Sequence, residues 1–265
     1  LSFGGQDFEV AGGRALFWPA RRALIVADLH LEKASWFAAR GQMLPPHDSL
    51  ATLEDVAKLV AATDAHELWC LGDNFHDPHG PSRLLPDALA LLARLTTSVS
   101  WTWITGNHDA HLPARIGGQI ADMAEVDGLI LRHQADNAEA RPELSGHFHP
   151  KHRSTARGRS VTRPCFVEGC SKLILPSFGV LTGGMAATDP AIAEQQSLKQ
   201  TIQSELAYSL QLAIAVINDA DDLRGNTFYE RASEVVAALE AIKDNIFQYE
   251  GREIVDSGFL KPVID

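Results

Sequence analysis

Short apolar runs and amphipathic stretches alternate along the first half of the chain. Three runs have the length and composition of buried strands, at residues 23–27, 68–71 and 101–105. Between these runs, apolar residues recur with helical spacing at residues 49–62 and 84–96. Beyond residue 127 the pattern predicts strands only, at residues 128–132, around 157–159 and at 172–176. Strand–helix alternation that gives way to a series of strands predicts an α/β layered fold with more than one sheet.

Past residue 190 the apolar pattern changes to two helical stripes. They consist of Leu198, Ile202, Leu206 and Leu210, and of Phe228, Ala232, Val235, Leu239, Ile242 and Ile246. An acidic segment that contains Gly225 separates them, so the stripes predict a hairpin of two amphipathic helices. We therefore predict a boundary near residue 190, between residues 1–190 and a helical extension, residues 191–265, whose role the sequence leaves open.

The composition is that of a soluble globular protein. Apolar residues make up 45% of the 265 residues and charged residues 22%, and no run approaches the about 18 apolar residues that a membrane helix needs. The net charge of −11 argues against bulk electrostatic attraction to nucleic acid. That charge is uneven, since residues 191–265 carry 13 acidic and 6 basic residues. Overall acidity therefore says little about residues 1–190.

The three cysteines, Cys70, Cys165 and Cys170, show no C-x-x-C spacing and leave one thiol over. This pattern argues against a disulfide framework and against a thiolate zinc site, and it favours a reducing compartment such as the cytoplasm. The first residues begin without Met and lack the basic-then-apolar pattern of a secretion signal.

Potential metal ligands follow the ends of the predicted strands. They are Asp28 and His30, Asp73, Asn107 and His108, His133, and finally His147 and His149. Loops at the carboxyl ends of strands are where layered α/β folds place ligand sites, and the spacings D-x-H and H-x-H put two side chains on one side of an extended segment. A single D-x-H is commonplace. Five groups of potential ligands in order along the chain, which together include five of the eleven histidines, indicate a metal centre.

The donors of this centre are carboxylates, an amide and imidazoles, without a thiolate. Such ligands suit Mn²⁺, Fe or Zn²⁺ better than Cu(I) or an iron–sulfur cluster. Eight side chains are too many for one ion, whereas two ions about 3.5–4 Å apart, bridged by one carboxylate, would use them all. Asp73 follows the middle one of the three strands in the first half, and it is therefore the natural bridge.

The five motifs, in this order, resemble those of the calcineurin-like metallophosphoesterases: DLH at 28–30, GDN at 72–74, GNHD at 106–109, a strand-terminal His133 and GHFH at 146–149. The similarity extends from about residue 20 to 184. More narrowly, the chain is similar to the ligase-associated metallophosphoesterases of bacteria, the PdeM-type DNA endonucleases. The segments that suggest this are residues 27–33, 40–46, 71–77, 146–151, 175–179 and 183–184.

The resemblance implies two packed mixed β-sheets flanked by helices, with two divalent metal ions in the site. Manganese is the expected metal, and iron or zinc are the alternatives. One ion would be held by Asp28, His30 and His149, the other by Asn107, His133 and His147, and both by Asp73. Where the family often has glycine before the fourth-motif histidine, this chain has Arg132, but the histidine itself is retained.

The expected reaction follows from the charges. A phosphodiester is anionic, so attack by hydroxide needs positive charge on the non-bridging oxygens and a source of hydroxide, and two dications supply both. Adjacent residues point apart, so His108 does not easily share an ion with Asn107. We expect His108 to donate a proton to the phosphate or the leaving oxygen, with Asp109 holding its tautomer.

Basic residues directly after the fifth motif are the support for a nucleic-acid substrate that comes from this sequence itself. They are Lys151, Arg153, Arg157, Arg159 and Arg163. A basic hairpin can follow a nucleic-acid backbone, although a solvated charged hairpin has the same composition. Lys33, His76 and His79 lie within a few residues of the ligands and are further candidates for binding phosphate.

We therefore expect a cytoplasmic two-metal phosphodiesterase that cleaves DNA. The resemblance implies single-stranded DNA, endonucleolytic cleavage and bacterial DNA repair, with DNA ligase and helicase components as partners and no membrane. Two other functions stay open: a phosphoesterase for a small nucleotide or a lipid-headgroup ester, and a non-catalytic scaffold with a vestigial metal site. The filled ligand positions argue against the scaffold.

Overall fold

A computed structural model describes residues 1–156 and 159–193, together with the backbone of residues 198–199. Its helices are α1 (Lys33–Ala38), α2 (Asp48–Thr63), α3 (Pro86–Ser98) and α4 (Pro190–Ala193). Its strands are β1 (Ser2–Phe3), β2 (Gln6–Asp7), β3 (Glu9–Ala11), β4 (Ala15–Trp18), β5 (Ala23–Val26), β6 (Glu67–Leu71), β7 (Ser100–Ile104), β8 (Gln119–Ala121), β9 (Met123–Val126), β10 (Leu129–Arg132), β11 (Glu143–Ser145), β12 (Lys151–Ala156), β13 (Arg159–Pro164), β14 (Val167–Gly169), β15 (Lys172–Ile174) and β16 (Leu198–Lys199).

The first large sheet has the strand order β3-β4-β5-β6-β7-β8. Its strands β5 to β8 run parallel, and β3 and β4 extend the sheet in antiparallel fashion. Helices α1 and α2 connect β5 to β6, and α3 connects β6 to β7, as the crossovers between parallel neighbours require. The alternation of strands and helices predicted for this part of the chain is confirmed.

The second large sheet has the order β16-β14-β15-β11-β10-β9. Strands β10, β11 and β15 are parallel to one another, while β9, β14 and β16 pair antiparallel. Both sheets therefore have a parallel centre; the first sheet has antiparallel strands at one edge only, and the second has them at both edges. All the parallel strands of a sheet end at the same edge, which is where ligand-binding loops of α/β sheets collect.

Strand β5 shows how the layers pack, because all four of its residues are buried. Leu24 belongs to the core under the helices, together with Leu53 of α2. Ile25, on the opposite face, belongs to the core between the sheets, together with Leu131 of β10. A strand covered on both faces must be apolar throughout, which explains the uninterrupted run in the sequence. The expected fold, two packed mixed sheets flanked by helices, is confirmed.

Residues 1–152 and the described residues from Arg163 onward form one compact unit. Residues 153–156 and 159–162 belong to a second unit and lie in the paired strands β12 and β13. Leu198, which the apolar pattern assigned to the first C-terminal helix, lies in strand β16. The other residues of the predicted helical hairpin and Arg157 lie outside the described residues, so the boundary near residue 190 stays a prediction. Within the described ranges, no helix combines the length and hydropathy needed to cross a bilayer.

Candidate metal centre

The predicted ligands lie in loops at the carboxyl ends of five parallel strands. In the first sheet, Asp28 comes after β5, Asp73 after β6 and Asn107 after β7. In the second sheet, His133 directly follows β10 and His147 comes after β11. The topology of the two sheets, rather than closeness in sequence, therefore brings these side chains together.

Five of the predicted ligands have a left-handed backbone. Their φ angles are 52° at Asp28, 44° at His30, 45° at Asp73, 72° at His147 and 47° at His149. Positive φ is uncommon outside glycine, although Asp, Asn and His adopt it more readily than other residues. Each such residue costs about 1–2 kcal/mol, and conformations of this kind persist where surrounding contacts hold them, most often at functional sites. The loops are therefore shaped to place ligands and not for the lowest backbone energy.

The first potential ligand group consists of Asp28, His30 and His149, whose ligand atoms lie within 4.8 Å of one another. The Nε2 atoms of the two histidines are 3.2 Å apart. The His149 Nε2 atom lies 3.3 Å from Oδ1 of Asp28. This is the set of side chains expected to hold one ion.

The second potential ligand group consists of Asp73, His133 and His147. Nδ1 of His147 and Nε2 of His133 are 3.0 Å apart. The Asn107 side chain joins them, since its Oδ1 lies 3.0 Å from Nε2 of His133. The structure thus brings together the three side chains expected around the other ion.

Asp73 lies between the two groups. Its Oδ1 is 3.4 Å from Nε2 of His133, in the second group. Its Oδ2 is 3.8 Å from Nε2 of His30, in the first group. The backbone amide of His108 donates to Oδ1 at 2.9 Å and fixes the carboxylate. One oxygen of Asp73 therefore faces each group, as a bridging carboxylate requires.

The electrostatics of these groups fit divalent cations. Among the described residues, the buried carboxylates of Asp28 and Asp73 have imidazoles as their ion-pair partners. Burial lowers the pKa of His30 from 6.5 to about 2, and His149 adds to the shift. Burial and then the neighbouring His133 lower the pKa of His147 as well. Anionic carboxylates beside neutral imidazoles are the protonation states that metal ions bind, and buried charge of one sign needs compensation.

The lowered histidine pKa values predict that the metal-free protein is sensitive to acid. The pKa of His30 is about 2 in the folded state, against an ordinary value of 6.5, so between these values the unfolded chain binds the extra proton. The free energy of unfolding therefore falls as the pH drops below 6.5, and by pH 5 the loss from His30 alone is about 2 kcal/mol. Thermal denaturation of metal-free protein at pH 7.5 and pH 5 measures this loss.

The matched variant for that experiment is His30→Gln, which removes the titrating group and keeps a similar volume. Its melting temperature should fall less between pH 7.5 and pH 5 than that of the wild type. His111→Gln, at an exposed position, should behave like the wild type. An identical pH dependence in all three proteins would contradict the assignment to His30.

His108 lies beside the bridge with one ring nitrogen occupied. Its Nδ1 is 2.8 Å from the carbonyl oxygen of His76, to which an Nδ1–H donates. Its Nε2 lies 3.8 Å from Oδ2 of Asp73, and the side chain is 39% exposed. Nε2 is therefore the nitrogen that can exchange a proton with a substrate, while the backbone carbonyl sets the tautomer.

Asp109 does not hold the His108 tautomer, and this corrects the role expected from the sequence. The Asp109 carboxylate accepts hydrogen bonds from three backbone amides, those of Asn74 at 2.7 Å, Phe75 at 3.0 Å and Gly106 at 2.9 Å. The residue is fully buried, and burial raises the pKa of its carboxyl. Asp109 therefore joins the loops after β6 and β7, because a buried carboxylate is retained by donors that satisfy it.

Motif glycines leave space that the ligand carboxylates occupy. A Cβ atom at Gly106 would lie 2.2 Å from the backbone nitrogen of Asp73, and one at Gly146 would lie 2.4 Å from Oδ2 of Asp28. Both distances are far below any van der Waals contact. Glycine is needed at these positions because the loop backbone approaches the ligand residues so closely.

Two of the predicted phosphate-binding residues lie beside the centre. The Nδ1 atoms of His76 and His30 are 3.5 Å apart, and His30, His76 and His108 form a third group of potential ligands. Burial and then the positive charge of Lys33 lower the pKa of His76 to about 4. Lys33 is thus close enough to act on the same region as the histidines.

The other residues predicted to bind substrate are placed differently. Burial lowers the pKa of Lys33, and the charge of Lys151 lowers it further, so the two ammonium groups share one neighbourhood. His79 is exposed, and its backbone amide donates to Asp77. In the second unit, Arg153 donates to the Ser160 hydroxyl at 3.2 Å, and Arg159 is exposed. That these residues bind substrate stays a prediction.

Two aromatic residues of α1, Trp36 and Phe37, also border the site, although their sequence pattern did not predict it. Together with Lys33, His76 and Asn107 they line a cleft of about 500 Å³. The signal in the sequence was an adjacent aromatic pair just after the first motif, and such a pair is ordinarily part of a hydrophobic core. Only the structure shows that these rings border the candidate metal centre.

Comparisons with known proteins found one matching family and several similar structures. A family model of calcineurin-like phosphoesterases matches residues 21–162. Among solved structures, the nuclease MPE of Pseudomonas putida is 33% identical, covers 71% of this chain and 90% of its own, and has a TM-score of 0.58. Yfce, a phosphoesterase from E. coli, is 20% identical over 62% of this chain and 83% of its own, with a TM-score of 0.36. No curated protein sequence matches the chain.

Proposed function

The chain belongs to the calcineurin-like phosphoesterases and is a metal-dependent phosphoesterase, and from this premise we propose that it is a two-metal phosphodiesterase that hydrolyses DNA. The proposed substrate is single-stranded DNA, cleaved internally during bacterial DNA repair. Mn²⁺ is the proposed metal. As the sequence resemblance implies, the proposed location is the cytoplasm, and the proposed partners are DNA ligase and helicase components.

The observation that carries the two-metal assignment is the position of the Asp73 carboxylate. Its oxygens lie 3.4 Å and 3.8 Å from imidazole nitrogens that belong to different ligand groups. In this assignment Asp28, His30 and His149 would hold one ion and Asn107, His133 and His147 the other, with Asp73 shared between them. Two divalent ions held there would supply positive charge to the phosphate and lower the pKa of a water molecule.

The protein's own groups orient the substrate and move a proton. The hydrogen bond from Nδ1 to the His76 carbonyl fixes the orientation of the His108 ring. The direction of the Nε2–H bond is therefore fixed as well. When the bond to the leaving oxygen breaks, that oxygen takes the proton from Nε2 of protonated His108 and leaves as an alcohol. Lys33, near the same histidines, attracts the anionic diester into the cleft.

Support for a DNA substrate comes from similarity to the P. putida nuclease over most of both chains. The basic residues of strands β12 and β13 agree with it, since binding of phosphates by Arg and Lys dominates affinity for nucleic acid. The alternative is a phosphoesterase for a small nucleotide or lipid-headgroup ester, because the cleft of about 500 Å³ is also within the range of small-molecule sites.

A nuclease assay tests the proposal. Single-stranded and double-stranded DNA circles are incubated with the protein and Mn²⁺, Mg²⁺, Zn²⁺ or Ca²⁺, and a small aryl phosphodiester is assayed in parallel. Conversion of single-stranded circles to fragments supports an endonuclease. Hydrolysis of the small diester with all DNA left intact would favour the small-molecule alternative, and no hydrolysis with any metal would favour the scaffold.

The charges of the hairpin formed by β12 and β13 should matter for DNA and not for the chemistry. Changing Arg153, Arg157 and Arg159 together to Gln should raise the KM for a single-stranded oligonucleotide. It should also reduce the slope of log affinity against log salt by about one for each DNA phosphate that the variant no longer binds. A small aryl diester releases no counterions of this kind, so its hydrolysis should be nearly unchanged.

Two outcomes would contradict this use of the hairpin. Equal losses on the oligonucleotide and on the small diester would indicate a structural effect of the substitutions. Unchanged kinetics on both would show that the arginines do not bind substrate. A control is Arg94→Gln in α3, which changes one charge of the first unit and should leave the salt dependence unaltered.

A further inference from the structure

A cleft of about 500 Å³ opens directly beside the candidate metal centre. Its lining residues are Lys33, Trp36, Phe37, His76, Asp77, Pro78, Asn107 and His108. His108 and Asn107 also contact the ligand groups, through Asp73 and His133 respectively. Anything bound in the cleft is therefore adjacent to the candidate metal ligands.

The cleft walls are mainly aromatic. The rings of Phe37 and His76 are stacked with centroids 5.9 Å apart, and His76 is stacked with His108 at 5.2 Å. Trp36 stands edge-on to His76, with centroids 4.9 Å apart. The Arg40 guanidinium lies 3.6 Å from the centroid of the Trp36 ring, which orients the ring and adds a positive charge beside it.

Ion pairs and hydrogen bonds hold the two walls in place. Arg83 pairs with Asp77, in the loop after β6. The same guanidinium donates to the Ser35 hydroxyl at 2.9 Å and so reaches α1, which carries Trp36 and Phe37. The walls are thus tied together before any ligand enters, and a preformed site loses less entropy on binding.

Partly exposed rings beside a cationic group suit a flat, uncharged ring attached to a phosphate. Trp36, Phe37 and His76 are neither fully buried nor fully exposed, and Lys33 lines the same cleft as His76. A lipid headgroup offers no flat ring for such walls. A nucleobase does, and stacking on aromatic side chains tolerates every base because each has a π-face.

We propose that this cleft is the subsite for the nucleobase next to the scissile phosphate, with the base stacked against Trp36 and Phe37 and with Lys33 bound to the neighbouring phosphate. This assignment rests on the proposed action on nucleic acid. Trp36 and Phe37 are positioning residues in it, because they contact the base and not the reacting atoms. The subsite predicts cleavage without strong sequence preference.

The test compares chromogenic diesters with one common leaving group. Thymidine 5′-(4-nitrophenyl phosphate) and its 3′ isomer carry a base, and methyl 4-nitrophenyl phosphate does not. For the wild type, kcat/KM should be about tenfold to a hundredfold higher for one thymidine isomer than for the methyl ester. Trp36→Ala should remove that advantage mainly by raising KM for the thymidine ester, with a much smaller effect on the methyl ester, and Trp36→Phe should retain most of it.

Leu89→Ala on α3, which removes a side chain that is 47% exposed, is the control and should keep the wild-type ratio. An unchanged ratio in Trp36→Ala, or equal losses on both esters, would overturn the subsite.

A wild-type experiment guards against a folding defect: an oligonucleotide whose bases are replaced by abasic sites should be cleaved by the wild type at least about tenfold more slowly than normal DNA. If the abasic strand is cleaved as fast as normal DNA, the proposed base-binding subsite is contradicted, while the proposed nuclease function remains supported. If no DNA is cleaved but the thymidine ester is still preferred, the DNA proposal fails and the subsite stands.

Discussion

Replacing Asp73 with Ala should reduce phosphodiester hydrolysis by about a thousandfold or more, because both ions of the proposed two-metal site would lose their shared ligand. Each ion supplies several kcal/mol of charge stabilisation in the transition state. The Asp73 oxygens face His30 on one side and His133 on the other, so the variant removes a carboxylate that lies between the two ligand groups. Metal analysis after dialysis should show fewer than two ions per chain, and steady-state kinetics measures the loss.

Graded variants separate loss of the bridge from loss of structure. Asn107→Ala removes one oxygen donor near His133, so it should weaken one site only, and added Mn²⁺ should restore part of the activity. Asp87→Ala, at an exposed position in the first turn of α3, should keep both ions and full activity. Near-normal activity of Asp73→Ala on every substrate would show that the two-metal assignment is wrong.

His108→Ala should slow turnover by about 10²–10⁴-fold while the metal content stays the same, which is the usual cost of losing a general acid. The reason is the geometry of the ring: Nδ1 is held by the His76 carbonyl, and Nε2 is left to give up a proton. The loss should shrink for a nitrophenyl ester, because nitrophenolate leaves without protonation. Comparing kcat for a DNA oligonucleotide and for the nitrophenyl ester measures the difference.

His111→Ala is the control for that variant, since His111 is exposed and lies three residues further along the chain. It should leave turnover and metal content unchanged. A loss of one ion in His108→Ala would reassign His108 as a ligand, in keeping with its place in a group with His30 and His76. A loss of equal size on both esters would exclude proton donation to the leaving group.

The central strands of the first sheet could be predicted because their burial is visible in the local sequence. Strands β5, β6 and β7 are covered by helices on one face and by the second sheet on the other, so they appear as apolar runs. The ligands follow these runs directly, which made the metal centre visible in the sequence. What set its geometry, the parallel pairing of strands far apart in the chain, came only from the structure.

Strand β11 was not predicted from the sequence because it begins with a charged residue. Glu143 begins this strand and is fully buried, where it pairs with Lys172 at 2.7 Å and with Arg132 at 3.0 Å. A pattern of apolar and polar positions assigns a glutamate to the surface, since unpaired charge is almost never buried. The partners that make its burial acceptable are distant in sequence.

The role of Asp109 was wrong for a similar reason. Next to His108, a carboxylate suggests an imidazole partner. The structure instead turns it to the amides of Asn74 and Phe75, which belong to another loop. Neighbours in the sequence of a tight loop point in different directions, so adjacency alone does not identify a hydrogen-bond partner.

The left-handed backbone at the ligand positions limits which amino acids can occupy them. Positive φ is open to Gly, Asn, Asp and His, whereas β-branched side chains are strongly disfavoured. Glycine carries no donor atom, so exchange among Asp, Asn and His is the accessible route at the five left-handed ligands. A cysteine at one of them would meet this backbone cost without the local hydrogen bonds by which short polar side chains such as Asp and Asn offset it. A lineage that keeps these loops can therefore drift in metal preference along oxygen and nitrogen donors, while its backbone selects against a thiolate site.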